Sequence, residues 1–333
     1  MRRRGIVGFV AALAVGCGTG GTDIEFTEPT PTLFSDDADV ETTLPPTTVG
    51  SPAGLATLDR RDLPSPRPAP GVVIIDGIAA PVLNANNTSW TIETPCGTAR
   101  TETGTEVEHA LVVIDPAGDA RTADGATEVE RNAALSTTIA DRLQAAGIAT
   151  VITRQGAVDL AASYRREAGV SAGALVVVTV SVVDGVGALT ADPSLEVVYP
   201  AIDEPSQRLA GLLYADVVSA IDLFSVGWPD DLDSGVRSVL NQRGDDFFTV
   251  LQEPSTSARA VVHLPVDPDA ASVMWTGGTN RAPLADAIAN AIVRWLVTDA
   301  EGSGFVTPAH EVRQAEVSSA GPCIDPLAVE VGD

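Results

Sequence analysis

Apolar positions along this chain fall into two repeating patterns, and one stretch carries both. Leu111–Ile114 is an apolar run that breaks at Asp115-Pro116, and a polar loop rich in Gly, Ala and Asp follows. Leu135, Ile139 and Leu143 then recur every four residues, which places them on one helical face. Gly147 stands where a helix C-cap glycine belongs, and Ile148–Thr153 is a second β-branched run. The unit reads strand–loop–helix–strand and is long enough for a parallel crossover. Ligands of such units gather at the carboxyl ends of the strands, which puts the expected site at Asp115–Glu128.

The alternation continues downstream. Leu175–Val183 is a long β-branched run of the kind found in buried central strands. Leu195–Tyr199 reads as a strand, and Ser206–Phe224 as a helix with Leu209, Leu213, Val217 and Ile221 on one face. Phe248–Leu251 and Ala260–Val266 read as strands, and Pro283 opens a last helix with Ile288, Ile292 and Trp295 aligned. Short β-branched runs alternating with helical runs predict an α/β fold, a mostly parallel sheet flanked by helices on both faces. Its strands are expected near 111–114, 148–153, 175–182, 195–199 and 260–265, within a domain spanning 109–300.

Ahead of that domain, 71–108 reads as a small β leader with strands at Val72–Ile75, Ala80–Leu83 and Trp90–Glu93. Residues 18–70 are rich in Thr, Pro, Asp and Glu and have almost no apolar periodicity, which predicts a disordered acidic tether. Residues 301–333 read as an irregular tail.

Charge and cysteines narrow the setting. The net charge of −25 excludes nucleic acid and anionic membrane faces as partners, since both need clustered cations. All basic residues are Arg. Arg2–Arg4 followed by the apolar Ile6–Val15 is a signal-peptide pattern, too short to span a bilayer. Leu13-Ala14-Val15-Gly16-Cys17 resembles a bacterial lipobox, which makes 1–17 a lipoprotein-type signal and Cys17 its lipidation site; the plainer reading is an ordinary cleaved signal with Cys17 incidental. Either way the protein is expected to be exported, and the only membrane contact expected is a lipid anchor. Export permits a disulfide. Cys96 ends the leader and Cys323 lies in the tail, so the two are predicted to pair.

Several short motifs occur in order: Asp115-Pro116, Glu128 four residues before Asn132, Ile152-Thr153-Arg154, then Asp159 and Arg165, then Glu196 within Leu195–Tyr199, and Ser234-Gly235-Val236-Arg237, read as a turn. The series resembles the zinc-dependent N-acetylmuramoyl-L-alanine amidases, the cell-wall amidases. The resemblance implies their α/β fold and a zinc held by His, Glu and His, with a separate Glu as general base. Carried onto this chain, Gly118 stands at the first His, Glu128 keeps the Glu ligand, Ser181 takes the second His, and His263 takes the catalytic Glu. No His occurs between 110 and 262. Glu128 is thus the sole retained ligand position, so no metal or other cofactor is expected and the chain reads as a degenerate member.

The old groove is expected to be lined by Asp115, Gly118, Asp119, Glu128, Ser181 and His263. Two rewirings are conceivable: a Ser181–His263–Glu128 nucleophilic arrangement, and a metal held by Asp119, Glu128 and His263. The plain readings are a polar strand residue for Ser181, a hydrogen-bonded histidine for His263 and a helix first-turn acid for Glu128. His109 and His310 are expected at the surface. Three functions follow: an inactive envelope lipoprotein that binds peptidoglycan or a cell-wall protein, an active peptidoglycan hydrolase with a rewired site, or a structural envelope protein.

Overall fold

The computed structural model describes residues 63–65, 71–86, 89–107, 110–118, 123–184, 195–221, 234–252, 256–266, 281–313, 323 and 325–328. All lie in the second of two units, Gly50–Asp333, the first being Met1–Val49. The signal at 1–17, Cys17 and nearly all of the 18–70 stretch fall outside the described residues. Leu63, expected within a tether, is described and packs against the main core.

The leader is a five-stranded antiparallel sheet built from β1 (Val72–Ile75), β2 (Ile78–Ala85), β3 (Trp90–Glu93), β4 (Ala99–Glu102) and β5 (Thr105–Val107), in the order β4-β3-β2-β1-β5. Asp76 and Gly77 make its first turn, with φ of 49° and 78°. Asp-Gly is a strong hairpin signal because both central residues need positive φ. Here it sets Ile75 opposite Ile78.

The main sheet takes β6 (Val112–Pro116), β7 (Thr150–Ile152), β8 (Val176–Asp184), β9 (Glu196–Val198), β10 (Gly235–Asn241), β11 (Ala258–Val266) and β12 (Phe305–Arg313). Their order is β12-β10-β9-β11-β8-β6-β7, and every neighbouring pair is parallel except β9–β11. All five strands expected in the domain are present. Three expectations are corrected. Ser234–Arg237 is not a turn but the entry to β10. Phe248–Leu251 is not a strand; Thr249–Leu251 forms a 3-10 turn. The 301–333 stretch is not wholly irregular, because β12 lies in it and forms one edge of the sheet. β12 carries Pro308 and turns charged side chains inward, so apolar periodicity does not reveal it.

Helices α1 (Ala123–Ala145), α3 (Glu204–Ile221) and α4 (Ala282–Val297) cover one face of the main sheet. Leu135, Ile139 and Leu143 of α1 are fully buried there against Val112, Ile114 and Val178. α1 ends in a Schellman motif: Gly147 N–H donates to Gln144 O, and Ile148 N–H to Leu143 O. Gly147 takes the required positive φ, 86°. The other face is covered by α2 (Ala162–Ser171), the 3-10 turn and the leader. Among the described residues helices therefore lie on both faces, three against one.

The leader is tied to the main sheet by backbone bonds, Ala79 N–H to Thr153 O (3.0 Å) and Gln155 N–H to Gly77 O (2.8 Å). Cys96 and Cys323 are bonded, with their Cα atoms 5.7 Å apart, as predicted. Beyond Cys323, Leu327 is buried in the leader core.

Candidate functional site

The carboxyl end of β6 is heavily fixed. Asp115 is 1% exposed. Its carboxylate accepts from Thr153 Oγ1 (2.6 Å) and Thr179 Oγ1 (3.0 Å), and pairs with Arg165. Arg165 also donates to the carbonyls of Pro116 and Leu160, each at 3.2 Å. Arg154, fully buried, donates to Pro116 O (3.2 Å), Ala117 O (2.7 Å), Gly118 O (3.3 Å) and Val158 O. Asn132 Nδ2 donates to Ala117 O at 2.9 Å while Oδ1 accepts from Val182 N–H at 2.7 Å. The loop 116–118 is thus clamped from three sides. Asp115, expected to line the groove, instead commits both carboxylate oxygens to this clamp.

Gly118 ends the clamped loop with φ of 110°. A Cβ built there would lie 3.4 Å from Glu128 Oε1 and 3.0 Å from Val129 Cγ2. The half-buried Glu128, in the first turns of α1, therefore faces the glycine directly. Asp119 lies outside the described residues, as does His109.

Ser181 and His263 are register partners on the parallel strands β8 and β11, and each is 7% exposed. On the far side of His263, the antiparallel pairing with β9 sets Glu196 opposite it. Neither ring nitrogen of His263 has a hydrogen-bond partner, so the Ser181 hydroxyl and the imidazole are neighbours without a bond. Burial pushes the imidazole below its ordinary pKa; Glu196 opposes this and Arg313 adds to it. The Phe248 ring stands edge-on, 6.4 Å away.

Glu196 is itself held. Arg313 forks onto both its oxygens at 2.6 and 3.0 Å, and Arg237 Nε lies 3.4 Å away. Glu311 bridges the same two guanidiniums, at 3.1 Å from Arg237 and 2.7 Å from Arg313. Two carboxylates and two guanidiniums balance, and these guanidinium bonds hold the Glu311 carboxyl below its usual range.

The expected groove set therefore divides into three places: Asp115 in the clamp, Gly118 with Glu128 at the loop end, and Ser181 with His263 in the sheet. The acid beside His263 is Glu196, not Glu128. Among the described residues no group of three His, Cys, Asp or Glu could hold a metal ion. Sequence reading alone does not find the Arg237–Glu311–Arg313 cluster. Glu196 is marked by its motif, but Arg313 lies in a stretch with no apolar signal. His310 is exposed on β12 and shares a hydrogen bond with Ser238 Oγ. A pocket of about 680 Å³, lined by Ile202, Asp203, Asp246 and Arg259, opens at the amino end of β11, remote from His263.

No protein-family model matches the chain, and no curated protein does. Among solved structures the chain is similar to the N-acetylmuramoyl-L-alanine amidase from Clostridium difficile 630, at 17% identity over 58% of this chain and 100% of that one, with a TM-score of 0.47. It is similar to the amidase AmiC2 of Nostoc punctiforme at 20% identity, over 56% and 97%, with a TM-score of 0.44. It is also similar to the amidase Ami1 from Mycobacterium smegmatis at 16% identity, over 56% and 96%, with a TM-score of 0.43. Likenesses of this size say nothing about what the chain does.

Proposed function

We propose that this is an exported envelope protein, lipid-anchored through Cys17, whose α/β domain binds peptidoglycan or a cell-wall protein without cutting it. The observation that carries this reading is the contrast between kept and lost positions. Of the motif residues kept from the amidase pattern, Asp115, Asn132, Thr153, Arg154 and Arg165 serve the clamp on loop 116–118, while Glu128 faces Gly118 and Glu196 pairs with Arg313. The positions that would carry chemistry hold Gly118, Ser181 and His263. A frame is maintained around a site that lacks its reactive groups.

The residues present do not fit a zinc ion. Catalytic zinc needs three N, S or O ligands and an open position. Gly118 offers no side chain, and its backbone, with φ of 110°, disfavours any other residue there. Ser181 offers a protonated hydroxyl. Gly118 and Ser181 are thus no ligands, and one carboxylate, Glu128, does not hold zinc against water.

A second reading has one observation in its favour. Ser181 and His263 are side by side on neighbouring strands, as a serine nucleophile and its base would be. The same two experiments separate the readings. Incubated with insoluble peptidoglycan, the purified chain is expected to sediment with it and to release no dye from a labelled wall substrate. Dye release abolished by Ser181→Ala establishes the second reading. Neither sedimentation nor release leaves a structural protein, and overturns the first.

A further inference from the structure

Four charged groups and one imidazole lie together on the leader-facing side of the main sheet. Glu196, Arg237, His263 and Arg313 are each no more than 9% exposed, and Glu311 completes the set at the edge. Among the described residues of the set the charges cancel, two against two. His263 is the member with no bond, although register places it opposite Glu196 on β9 and beside Ser181 on β8. A buried imidazole with both nitrogens idle forfeits the desolvation of two polar atoms. Its site is therefore arranged for something other than the neutral form at rest.

We propose that His263 is an acid-operated latch for the carboxyl end of β12: when the imidazole takes up a proton it draws the Glu196 carboxylate into an ion pair, and Arg313 is released. The groups facing the ring settle the direction. Ser181 and Phe248 carry no charge, Glu196 from β9 is the acid within reach, and Arg237 from β10 with Glu311 and Arg313 from β12 meet the ring through Glu196. The Asp115–Arg165 pair lies on the same face two strands away, with both carboxylate oxygens already bonded. A proton arriving from solvent leaves the cluster with one positive charge too many, and a buried excess charge is costly.

One cation must therefore leave. Arg237 sits on the interior strand β10, between β9 and β12. Arg313 is the last residue of the edge strand, next to Val312, which is 65% exposed. Its exit exposes a guanidinium to water and frays one end of β12, so it is the less costly departure. This inference stands on burial, register and charge balance and does not depend on the function proposed above.

The test is amide hydrogen exchange on the full chain with its disulfide intact, corrected for intrinsic pH dependence. Protection of the amides from Ala309 to Arg313 is expected to fall at least about tenfold between pH 7 and pH 5, the linkage of one pKa unit. Protection across Val176–Val182 should not change. In His263→Gln, which keeps the shape and cannot charge, the β12 amides should stay protected at both pH values. In Arg313→Gln they should be poorly protected at both. If His263→Gln does not fold, Arg313→Gln and an NMR titration of the His263 ring carry the test. Undiminished β12 protection in the wild type down to pH 5 overturns the latch, whether or not the ring titrates. An equal fall in His263→Gln, or a pH response retained in Arg313→Gln, overturns it as well.

Discussion

Two polar regions lie on the same face of one sheet and are built on opposite principles. Around Asp115 every carboxylate oxygen and every loop carbonyl from 116 to 118 has a donor, drawn from β7, α1, α2 and β8. Around His263 the carboxylate and the guanidiniums are matched, but the imidazole in their midst is not. The first region is over-determined: the Pro116 and Ala117 carbonyls and Asp115 Oδ2 each take donors from two elements, which holds the loop in one conformation. The second is balanced and no more than balanced, so one proton tips it. Burial alone does not distinguish them; completeness of hydrogen bonding does.

That contrast has consequences of graded size. Asp115→Ala removes the acid from a buried pair and strands Arg165 in the interior. It is expected to cost about 3–5 kcal/mol, read from the denaturant midpoint, and a cost under about 1 kcal/mol would show that the clamp is redundant. Asn132→Ala strands the Val182 N–H and leaves the Ala117 carbonyl to Arg154 alone, for an expected loss of about 1–3 kcal/mol in the same measurement.

Acid comes next. The unfolded His263 takes its proton near pH 6.5, while the folded ring, lowered by burial, takes it only at lower pH. Between those values the unfolded state holds more protons, so stability is full above about pH 6.5 and declines as the pH falls toward the folded pKa. The wild type minus His263→Phe isolates this from the other histidines, and a difference that does not vary between pH 7.5 and 5 would contradict the assignment. The smallest effect belongs to His263→Phe at pH 7.5. Replacing an unbonded imidazole by an apolar ring should leave stability within about 1 kcal/mol, or raise it slightly. A loss as large as that of Asp115→Ala would abolish the distinction between the two regions.

Much of the first region is legible without coordinates, and little of the second. The period of Leu135, Ile139 and Leu143, the break at Asp115-Pro116 and the glycine at 147 are local signals, and each element they predict is present. The partners of Asp115 are visible as motif residues, but the role they share is not. Thr153 and Arg165 are distant in sequence, and only the parallel crossover brings them to one carboxylate. The charged cluster stays hidden because it depends on β12. A strand whose buried side chains are Arg313 and Glu311 has no apolar alternation to betray it, and its pairing with β10 joins residues more than 60 positions apart. Ser234–Arg237 reads as a turn for the same reason, since Arg237 is buried by ion pairing and not by hydrophobicity. Pairing of Cys96 with Cys323 is legible because so few cysteines leave little choice.

That disulfide also decides how the protein carries load. Cys96 and Cys323 are 227 positions apart, so a pull applied between a residue before one and a residue after the other passes through the sulfur bridge. The strands β4 to β12 and the four described helices lie inside the bypassed loop. About 800 Å of contour is thereby withheld from extension. Among the described elements, only β1 to β3, ahead of Cys96, can be drawn out. Under tension the leader is the fuse, and the domain that holds the candidate site remains slack.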